Sequence, residues 1–346
     1  MSIRLVIFSA LDATLLDHRT YSYRAALPAL KKVKKRGIPV VLCTSKTRAE
    51  TEAVAGRLGL QHPFIVENGG AIFIPEDYFP ESIYRSAGLR TFKKDNYRVI
   101  QFGTPYRRLR LALKMMARKI ARKLIGFGDL GAREIAAVTG LGRKEAELAS
   151  RREYDEPFFL ENSPEFVLVQ GPGQQSKRKD KEIKEIEVIH KAQGREITHG
   201  QRLGIEGSGE RGKLFRNMQK VARSQGLRIT AGGRFFHLTG NNDKGRAVRV
   251  LKKLYRLNLG KIITIGLGDS ENDWPMLRAV DLPVLVARPD GFNLTLPEAG
   301  AKLLRTSRSG PEGWAEAVDF LLILHESANR ETRNRPTRKT KGGNHG

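Results

Sequence analysis

Short apolar segments alternate with segments of helical periodicity near the start of the chain, and this alternation restricts the fold more than any other feature. Three segments are apolar enough to form buried strands: Ile3–Phe8, Pro39–Cys43 and Phe64–Val66. Between them, Arg24–Lys35 has apolar residues at helical spacing, and Thr47 with Glu50 forms a capping box that opens a helix ending at Leu58. Strand–helix alternation of this kind predicts a parallel sheet covered by helices.

The same pattern returns after residue 243. It predicts, in chain order, the helix Lys244–Arg256, the strand Ile262–Leu267, a helix from about Glu271, the strand Pro283–Val286 and the helix Glu312–Glu326. We therefore predict one α/β core assembled from residues 1–82 and 241–327. A second domain, residues 83–240, is inserted between the two pieces.

The inserted segment and the C-terminus are rich in basic and polar residues. Arg108–Leu124 is predicted as an amphipathic helix with one apolar face and one basic face. Its basic face is either solvated or a contact surface for nucleic acid or a membrane. Residues 165–221 include an extra charged insertion, within which residues 171–187 (GPGQQSKRKDKEIKEIE) are expected to be exposed. Residues 328–346 have almost no apolar side chains and are predicted to be a disordered basic tail.

Charge and cysteine content narrow the class of protein. The chain has 62 Lys and Arg residues against 37 Asp and Glu residues, a formal net charge of +25, which favours anionic partners. Cys43 is the only cysteine, so no intramolecular disulfide is possible. The N-terminal apolar run is too short for a signal peptide, and no segment approaches the length of a membrane span. We expect a cytoplasmic protein without a membrane partner.

Polar residues cluster where core strands end or where a core helix begins. There are four such stretches: Asp12–Thr14, Thr44–Lys46, Asp243–Lys244 and Gly268–Asp273. Each alone could be a turn, a helix cap or a surface lysine. The carboxyl ends of parallel strands line one crevice of an open sheet, however, so we expect all four to converge.

The residue types in these stretches indicate phosphoryl transfer. Paired carboxylates can hold Mg²⁺, which takes oxygen ligands. A hydroxyl and a lysine can compensate the charge of the transferring group. An aspartate nucleophile would form an aspartyl-phosphate, while a second carboxylate would protonate the leaving oxygen and later activate water.

Further motifs extend the pattern over most of residues 3–164 and 222–326. They are TSKTRAE (44–50), PFIVENGGAIFIP (63–75), GFGDL (126–130), REYDE (152–156), GGRFFHLTGNNDKG (232–245), GLGDSENDWP (266–275) and GPEGW (310–314). Together they resemble the haloacid dehalogenase superfamily of phosphatases, and within it the mannosyl-3-phosphoglycerate phosphatases. The resemblance implies a Rossmann-like α/β core with a parallel sheet and an inserted α/β cap of the C2 type. It also implies Mg²⁺-dependent hydrolysis of mannosyl-3-phosphoglycerate to mannosylglycerate, a compatible solute, and phosphate.

The resemblance also implies a role for each matching position. Asp12 would be the general acid and base and would offer its backbone carbonyl to Mg²⁺. Thr44 would bind the transferring phosphoryl group, which Lys244 would neutralise, and Asp269 and Asp273 would be the metal ligands. The implied substrate contacts are Ser45, Lys46, Asn68, Gly69, Arg152 and Arg234.

One position departs from the family pattern. The opening motif of the family is Asp-x-Asp-x-Thr, and its first Asp, the nucleophile and a metal ligand, is Ala10 in this chain. Three hypotheses remain open. The chain is a sugar-phosphate phosphatase whose nucleophile has been substituted, or a natural pseudoenzyme that binds a sugar phosphate without turnover. The third is a nucleic-acid-binding protein that uses the basic helix, the insertion and the tail.

Overall fold

The computed structural model describes residues 3–161, 168–170, 186–188, 209–232, 235–289 and 303–334. Its strands are β1 (Arg4–Ser9), β2 (Val40–Cys43), β3 (Phe64–Val66), β4 (Ala71–Pro75), β5 (Phe92–Lys94), β6 (Tyr97–Gln101), β7 (Leu124–Gly126), β8 (Asp155–Leu160), β9 (Leu168–Gln170), β10 (Ile186–Val188), β11 (Arg228–Gly232), β12 (Phe235–Thr239), β13 (Ile262–Gly268), β14 (Leu282–Ala287) and β15 (Leu304–Ser309). Its α-helices are α1 (Leu27–Lys35), α2 (Arg48–Leu58), α3 (Glu81–Ala87), α4 (Tyr106–Ile120), α5 (Ala132–Thr139), α6 (Arg143–Ala149), α7 (Glu210–Arg223), α8 (Lys244–Leu259), α9 (Trp274–Leu277) and α10 (Gly310–Asn334).

The main sheet has nine strands in the order β15-β14-β13-β1-β2-β3-β4-β6-β5. The strands from β15 to β3 are parallel, and β4, β6 and β5 continue the sheet antiparallel. Apolar clusters cover both faces, one including Leu30, Val54 and Trp314 and the other Tyr84 and Leu251. Because β1 lies between β13 and β2, the strand order reverses there, which opens a crevice at the carboxyl ends of these strands.

A second unit is built on a four-stranded antiparallel sheet in the order β11-β12-β8-β7. Helices α4 and α7 cover one face of this sheet and bury Leu113 and Met218 against Phe158, Phe236 and Leu238. Helices α5 and α6 pack with Phe127 and Phe235 in a separate small cluster. The second unit is therefore itself an α/β layer, as predicted for the inserted domain.

The structure corrects the first predicted boundary at residue 82. Strands β5 and β6 belong to the main sheet, where β6 pairs with β4 through Ile100 and Ile72. Val99 and Ile100 are buried in the two clusters of the first unit, so burial keeps the segment there. The first unit continues to Gln101, beyond the predicted boundary.

Three other predictions need adjustment. The basic helix ends at Ile120, because Ala121 adopts a left-handed conformation (φ 50°), and Leu124 opens β7. Within the predicted insertion, residues 210–221 lie in α7, which buries Met218, so that part is a packed helix. At the C-terminus, α10 continues through residue 334, past the start of the predicted tail.

Two sequence predictions agree closely with the structure. Thr47 caps α2, and its side chain and that of Glu50 exchange hydrogen bonds with each other's backbone nitrogens, as the predicted capping box requires. Leu109, Leu113 and Met116 of α4 are buried, so the apolar face of this basic helix packs on the second sheet. Within the described ranges, no helix is long and apolar enough to cross a membrane.

Candidate active site

The register of the main sheet places three polar stretches side by side at its carboxyl edge. Ser9, at the end of β1, pairs with Leu42 of β2 and with Leu267 of β13. The residues after Ser9 therefore lie between the Thr44–Lys46 loop and the Gly268–Asp273 loop. Lys244, at the start of α8, donates to Asp273 and joins the same cluster. The predicted convergence of the four stretches is found in the structure.

Ala10 occupies the first position after β1 and is almost fully buried. Its backbone nitrogen donates a hydrogen bond of 2.9 Å to the Leu267 carbonyl, which fixes it against β13. Its methyl group belongs to the same apolar cluster as Phe8 and Cys43. A carboxylate at this position would stand between β13 and the Thr44 loop, but alanine contributes no oxygen.

The turn after Ala10 holds a second contact with the opposite loop. Ala13 has a left-handed backbone (φ 54°), and the chain then brings Thr14 under the Gly268–Asp273 loop. Thr14 Oγ1 donates a buried hydrogen bond of 2.8 Å to Asp269 Oδ1. Thr14 therefore orients one carboxylate of the site.

Asp12 is the acid of this turn, and its side chain pairs with Lys46. Lys46 Nζ lies 3.1 Å from Asp12 Oδ1 and 3.6 Å from Glu50 Oε1, and the Asp12 side chain is 43% exposed. Burial of Lys46 opposes its charge, but the carboxylates of Asp12 and Glu50 outweigh burial and raise the pKa of Lys46. Lys46 therefore stays cationic beside Asp12.

Lys244 and Asp273 form a buried ion pair. Lys244 Nζ donates 2.7 Å to Asp273 Oδ1, and the two side chains are 5% and 2% exposed. Asp273 Oδ2 accepts from the backbone nitrogens of Asp269 and Ser270 and from Ser270 Oγ. Burial opposes the Lys244 charge, but the Asp273 carboxylate prevails and raises the pKa of Lys244. Asp273 thus orders its own loop and the lysine.

Asp269 is buried between groups of opposite charge. Arg288 NH1 lies 3.6 Å from Asp269 Oδ2, while Asp273 is close enough for its charge to act on Asp269. Burial and then the charge of Asp273 raise the pKa of Asp269 above its ordinary value. The carboxylates of Asp269 and Asp273 are thus matched by the cations of Arg288 and Lys244.

The turn Glu67–Gly70 joins the Thr44 loop to the start of α8. Asn68 donates its backbone nitrogen to the Thr44 carbonyl at 3.0 Å, and Thr44 Oγ1 accepts from the Lys46 nitrogen at 3.1 Å. Gly69 has φ 83° and lies against the Asp243–Lys244 backbone so closely that a Cβ would overlap it. This turn therefore sets the distance between Thr44 and Lys244.

Arg152, a predicted substrate contact, is largely buried and is held by two backbone carbonyls. Its NH1 donates 2.9 Å to the Ser45 carbonyl and its Nε donates 3.0 Å to the Ala149 carbonyl. Its side chain is 8% exposed and lies 3.9 Å from Asp155 and 4.0 Å from Glu50. The guanidinium links the second unit to the Thr44–Lys46 loop of the first. Arg234 lies outside the described residues.

The predicted Mg²⁺ site can be tested against the donors that are present. Among the described residues, no group of three or more His, Cys, Asp or Glu side chains is placed to hold a metal ion. Asp273 already accepts from Lys244 and its own loop, and Asp269 faces Thr14 and Arg288. Mg²⁺ requires several oxygen ligands in octahedral geometry. Asp269 and Asp273 are the carboxylates at this edge that would hold Mg²⁺, and alanine at position 10 adds no carboxylate to them.

Sequence reasoning did not single out several residues that the structure brings into the site. They are Asp155, His237 and Arg288, whereas Glu67 belongs to a turn that the sequence had marked. Thr14 and Asn272 stand inside stretches that the sequence had marked. Arg288 follows β14 at the same sheet edge, so the strand-end rule could have found it. Asp155 and His237 lie inside the motifs REYDE and GGRFFHLTGNNDKG, but their contact could not be predicted because they are 82 residues apart.

Comparisons with known proteins agree with this geometry. The model of the haloacid dehalogenase-like hydrolase family matches residues 7–93 and 168–289. A glucosyl-3-phosphoglycerate/mannosyl-3-phosphoglycerate phosphatase from Methanococcoides burtonii is 41% identical over 321 residues, covering 92% of this chain and 97% of that protein. A protein of the same name from Persephonella marina is 35% identical over 316 residues, covering 91% of this chain and 96% of its own length.

The solved structures bear on the fold. A sugar phosphatase of haloacid dehalogenase subclass IIB superposes with a TM-score of 0.51 at 14% identity, covering 92% of this chain and 100% of that one. The predicted fold class, an α/β core with a mostly parallel sheet and an inserted α/β cap, is confirmed. The chain belongs to the haloacid dehalogenase-like hydrolase family.

Proposed function

We propose that this protein is a phosphatase whose substrate is mannosyl-3-phosphoglycerate, glucosyl-3-phosphoglycerate or both. The observation that carries the proposal is the buried Lys244–Asp273 pair beside Thr44 and Asp269 at the carboxyl edge of the sheet. A buried cation and a hydroxyl at the same edge of the sheet suit a phosphate monoester. The names of the relatives from Methanococcoides burtonii and Persephonella marina supply the two sugar esters.

Each side chain at this edge has a proposed task. Lys244 and Thr44 bind and neutralise the phosphoryl group, while Ser45, Asn68 and Gly69 shape the loop around it. Asp12, the exposed acid of the first turn, protonates the leaving glycerate oxygen, with Lys46 keeping it oriented. Arg152 supports the loop through the Ser45 carbonyl. Asp269 and Asp273 lie on the other side of Ala10, in the loop after β13.

Position 10 limits what this sequence can catalyse. The alanine methyl cannot attack phosphorus, and the neighbouring acids are already paired with cations or hydroxyls. We therefore propose that the chain binds the ester and hydrolyses it slowly. Mg²⁺ is the proposed cofactor of the form with aspartate at position 10, in which a carboxylate would be added beside Asp269.

The test compares the natural chain with Ala10→Asp and Ala10→Asn in assays of phosphate release from both sugar esters, with and without Mg²⁺. Loss of a catalytic nucleophile costs about 10⁴- to 10⁶-fold in rate in other enzymes, so Ala10→Asp should be faster by a comparable factor. Ala10→Asn is the matched control, because it adds the same volume without a nucleophilic carboxylate. An inert Ala10→Asp protein would refute the phosphatase proposal. Full turnover by the natural chain would refute the account of Ala10.

A natural pseudoenzyme is the second candidate. It is favoured by the packing of the Ala10 methyl in the apolar cluster with Phe8 and Cys43. A pseudoenzyme would bind the sugar esters and gain no turnover from Ala10→Asp. The nucleic-acid hypothesis has the least support, because the sequence contains no recognised nucleic-acid-binding module and net charge alone is weak evidence. Salt-sensitive RNA or DNA binding that depends on the tail and insertion would support it.

The remaining proposals concern location and partners. We propose a cytoplasmic protein, consistent with a single, buried cysteine. Its partner is a small sugar phosphate.

A further inference from the structure

A continuous chain of side-chain hydrogen bonds runs from the second unit into the catalytic loop. His237 Nδ1 lies 2.8 Å from Asp155 Oδ2, and Asn68 Nδ2 donates 3.1 Å to the same oxygen. Asn68 Oδ1 in turn accepts 2.8 Å from Asn272 Nδ2. Asn272 directly precedes Asp273, the partner of Lys244. His237 is therefore connected through Asp155 and Asn68 to Asn272, which lies in the same loop as the Lys244 partner Asp273.

The pleat of the second sheet determines which way His237 faces. Its neighbours Phe236 and Leu238 are buried under α4 and α7, so His237 lies on the opposite face of β12. Asp155 of β8 shares that face, because Thr239 is its register partner and His237 pairs with Pro157. Asp155 contacts Asn68 of the first unit. The face that carries His237 is thus the one turned towards the active site.

The contact with Asp155 determines which ring nitrogen of His237 is left for a ligand. A carboxylate accepts hydrogen bonds, so Nδ1 donates to Asp155, and Nε2 is the ring nitrogen left to meet a ligand. Asp155 is fully buried, whereas the His237 side chain is 12% exposed. Over the part of the chain that the structure describes, Nε2 has no recorded hydrogen-bond partner. An oriented ring with one nitrogen left over is suited to a hydrogen bond with a hydroxyl.

The surrounding charges favour a hydroxyl over a second anionic group. Asp155 lies next to His237, and Glu67 is close enough for the charges of the two acids to interact. Arg152, the nearest cation to Asp155, is already bonded to the Ser45 and Ala149 carbonyls. A phosphate or carboxylate would face the buried Asp155 carboxylate, whereas a neutral hydroxyl would not be repelled.

We propose that His237 is a substrate-binding residue that forms a hydrogen bond at Nε2 with a hydroxyl of the hexosyl part of the substrate. This inference rests on the proposed function. Asp155 is its positioning residue, and the Asn68–Asn272 link places the sugar subsite in register with the Lys244 loop. The phosphate and the sugar are therefore recognised by different units of the protein, and His237 contributes to discrimination between sugar esters and plain phosphoglycerate.

The test measures dissociation constants by calorimetry on the natural chain, whose slow turnover leaves the ligand intact. The probes are 3-phosphoglycerate, glucosyl-3-phosphoglycerate and mannosyl-3-phosphoglycerate. His237→Asn keeps a donor near the position of Nδ1 and removes Nε2. One lost hydrogen bond should weaken at least one sugar ester roughly tenfold, while 3-phosphoglycerate binds as before. His62→Asn is the matched control, because His62 also bonds through Nδ1, to Tyr78, at the opposite end of the sheet.

The possible outcomes separate the inference from the proposed function. If His237→Asn binds both sugar esters as tightly as the natural chain, His237 only holds Asp155 and the inference is wrong. Equal loss for 3-phosphoglycerate and the sugar esters would also overturn it, since a sugar contact cannot affect a ligand without sugar. If the natural chain binds none of the three compounds, the proposed function itself fails and the inference falls with it.

Discussion

Lys244 and Asp273 form an ion pair of 2.7 Å in the interior of the protein, where each side chain is at least 95% buried. The pair joins the first turn of α8 to the loop after β13. Removing one partner of such a pair leaves an uncompensated charge away from water, and this cost exceeds the net value of the pair itself.

Lys244→Met should therefore destabilise the protein strongly, and Asp273→Asn added to it should restore part of the loss. A buried pair broken on one side typically costs about 3–5 kcal/mol in free energy of unfolding. Urea denaturation of both single variants and the double variant forms a double-mutant cycle. Binding of 3-phosphoglycerate should be lost in the single Lys244 variant and in the double variant alike. Retained binding in the double variant would show that Lys244 has only a structural role.

Gly69→Ala should cost more stability than glycine replacement at a comparable backbone angle elsewhere. A Cβ at residue 69 would lie 2.8 Å from the Lys244 nitrogen and closer to the Asp243 carbonyl, whereas a Cβ at Gly37 meets nothing within 4 Å. Both residues have positive φ, so Gly37→Ala isolates the backbone cost of about 1–2 kcal/mol. Thermal melts should show a larger loss for Gly69→Ala, together with weaker phosphate binding because Lys244 is displaced. Equal losses would contradict the close packing of this turn.

Arg152→Lys should weaken the binding of all phosphorylated ligands alike, including inorganic phosphate. Lysine keeps the charge but cannot donate to the Ser45 and Ala149 carbonyls in the geometry of a guanidinium. The Ser45 carbonyl is next to Thr44, so its displacement affects the phosphate end and not the sugar. Arg151→Lys is the control, since Arg151 is 59% exposed and pairs only with Glu147 among the described residues. Selective loss of sugar-ester binding would instead make Arg152 a sugar contact.

Glu67 should make stability fall as the pH rises. It is fully buried and accepts from the backbone nitrogens of Glu153 and Tyr154, and burial raises its pKa from 4.5 to about 8. The folded protein therefore holds this proton more tightly than the unfolded chain does. The contribution of protonated Glu67 to the free energy of unfolding is complete below about pH 4.5 and is lost as the pH rises through about 8.

The measurement is urea denaturation of the natural chain and of Glu67→Gln at pH 6 and pH 9. Glutamine does not ionise, so the free energy of unfolding of Glu67→Gln should rise relative to that of the chain with Glu67 between pH 6 and pH 9. Glu81→Gln, at a side chain 54% exposed, is the control for a general effect of removing one acid. An unchanged difference between the two pH values would show that Glu67 is ionised in the folded protein throughout this range.

The sequence alone predicted the parallel sheet and the polar residues at its carboxyl edge. Alternating apolar strands and helices predicted the parallel sheet, and polar stretches at the ends of strands and the start of a helix predicted that Asp12, Thr44, Lys244 and Asp269 lie at one edge of it. This works because hydrophobic periodicity and strand-end position are local properties of the chain. The alanine at position 10 was likewise readable from a single motif. Chemistry that depends on residue type and strand position is therefore encoded locally.

Only the tertiary structure determines which of these side chains form hydrogen bonds with one another. Asn68 and Asp155 are 87 residues apart, and Asn68 and Asn272 are 204 apart, so no local pattern could predict that they bond. The same holds for Arg152, whose sequence context suggested a substrate contact but whose guanidinium meets the Ser45 carbonyl, 107 residues away. Such contacts depend on the register of two sheets and on how the second unit sits over the first. Burial then determines which charges must pair, because an unpaired charge away from water is too costly to keep.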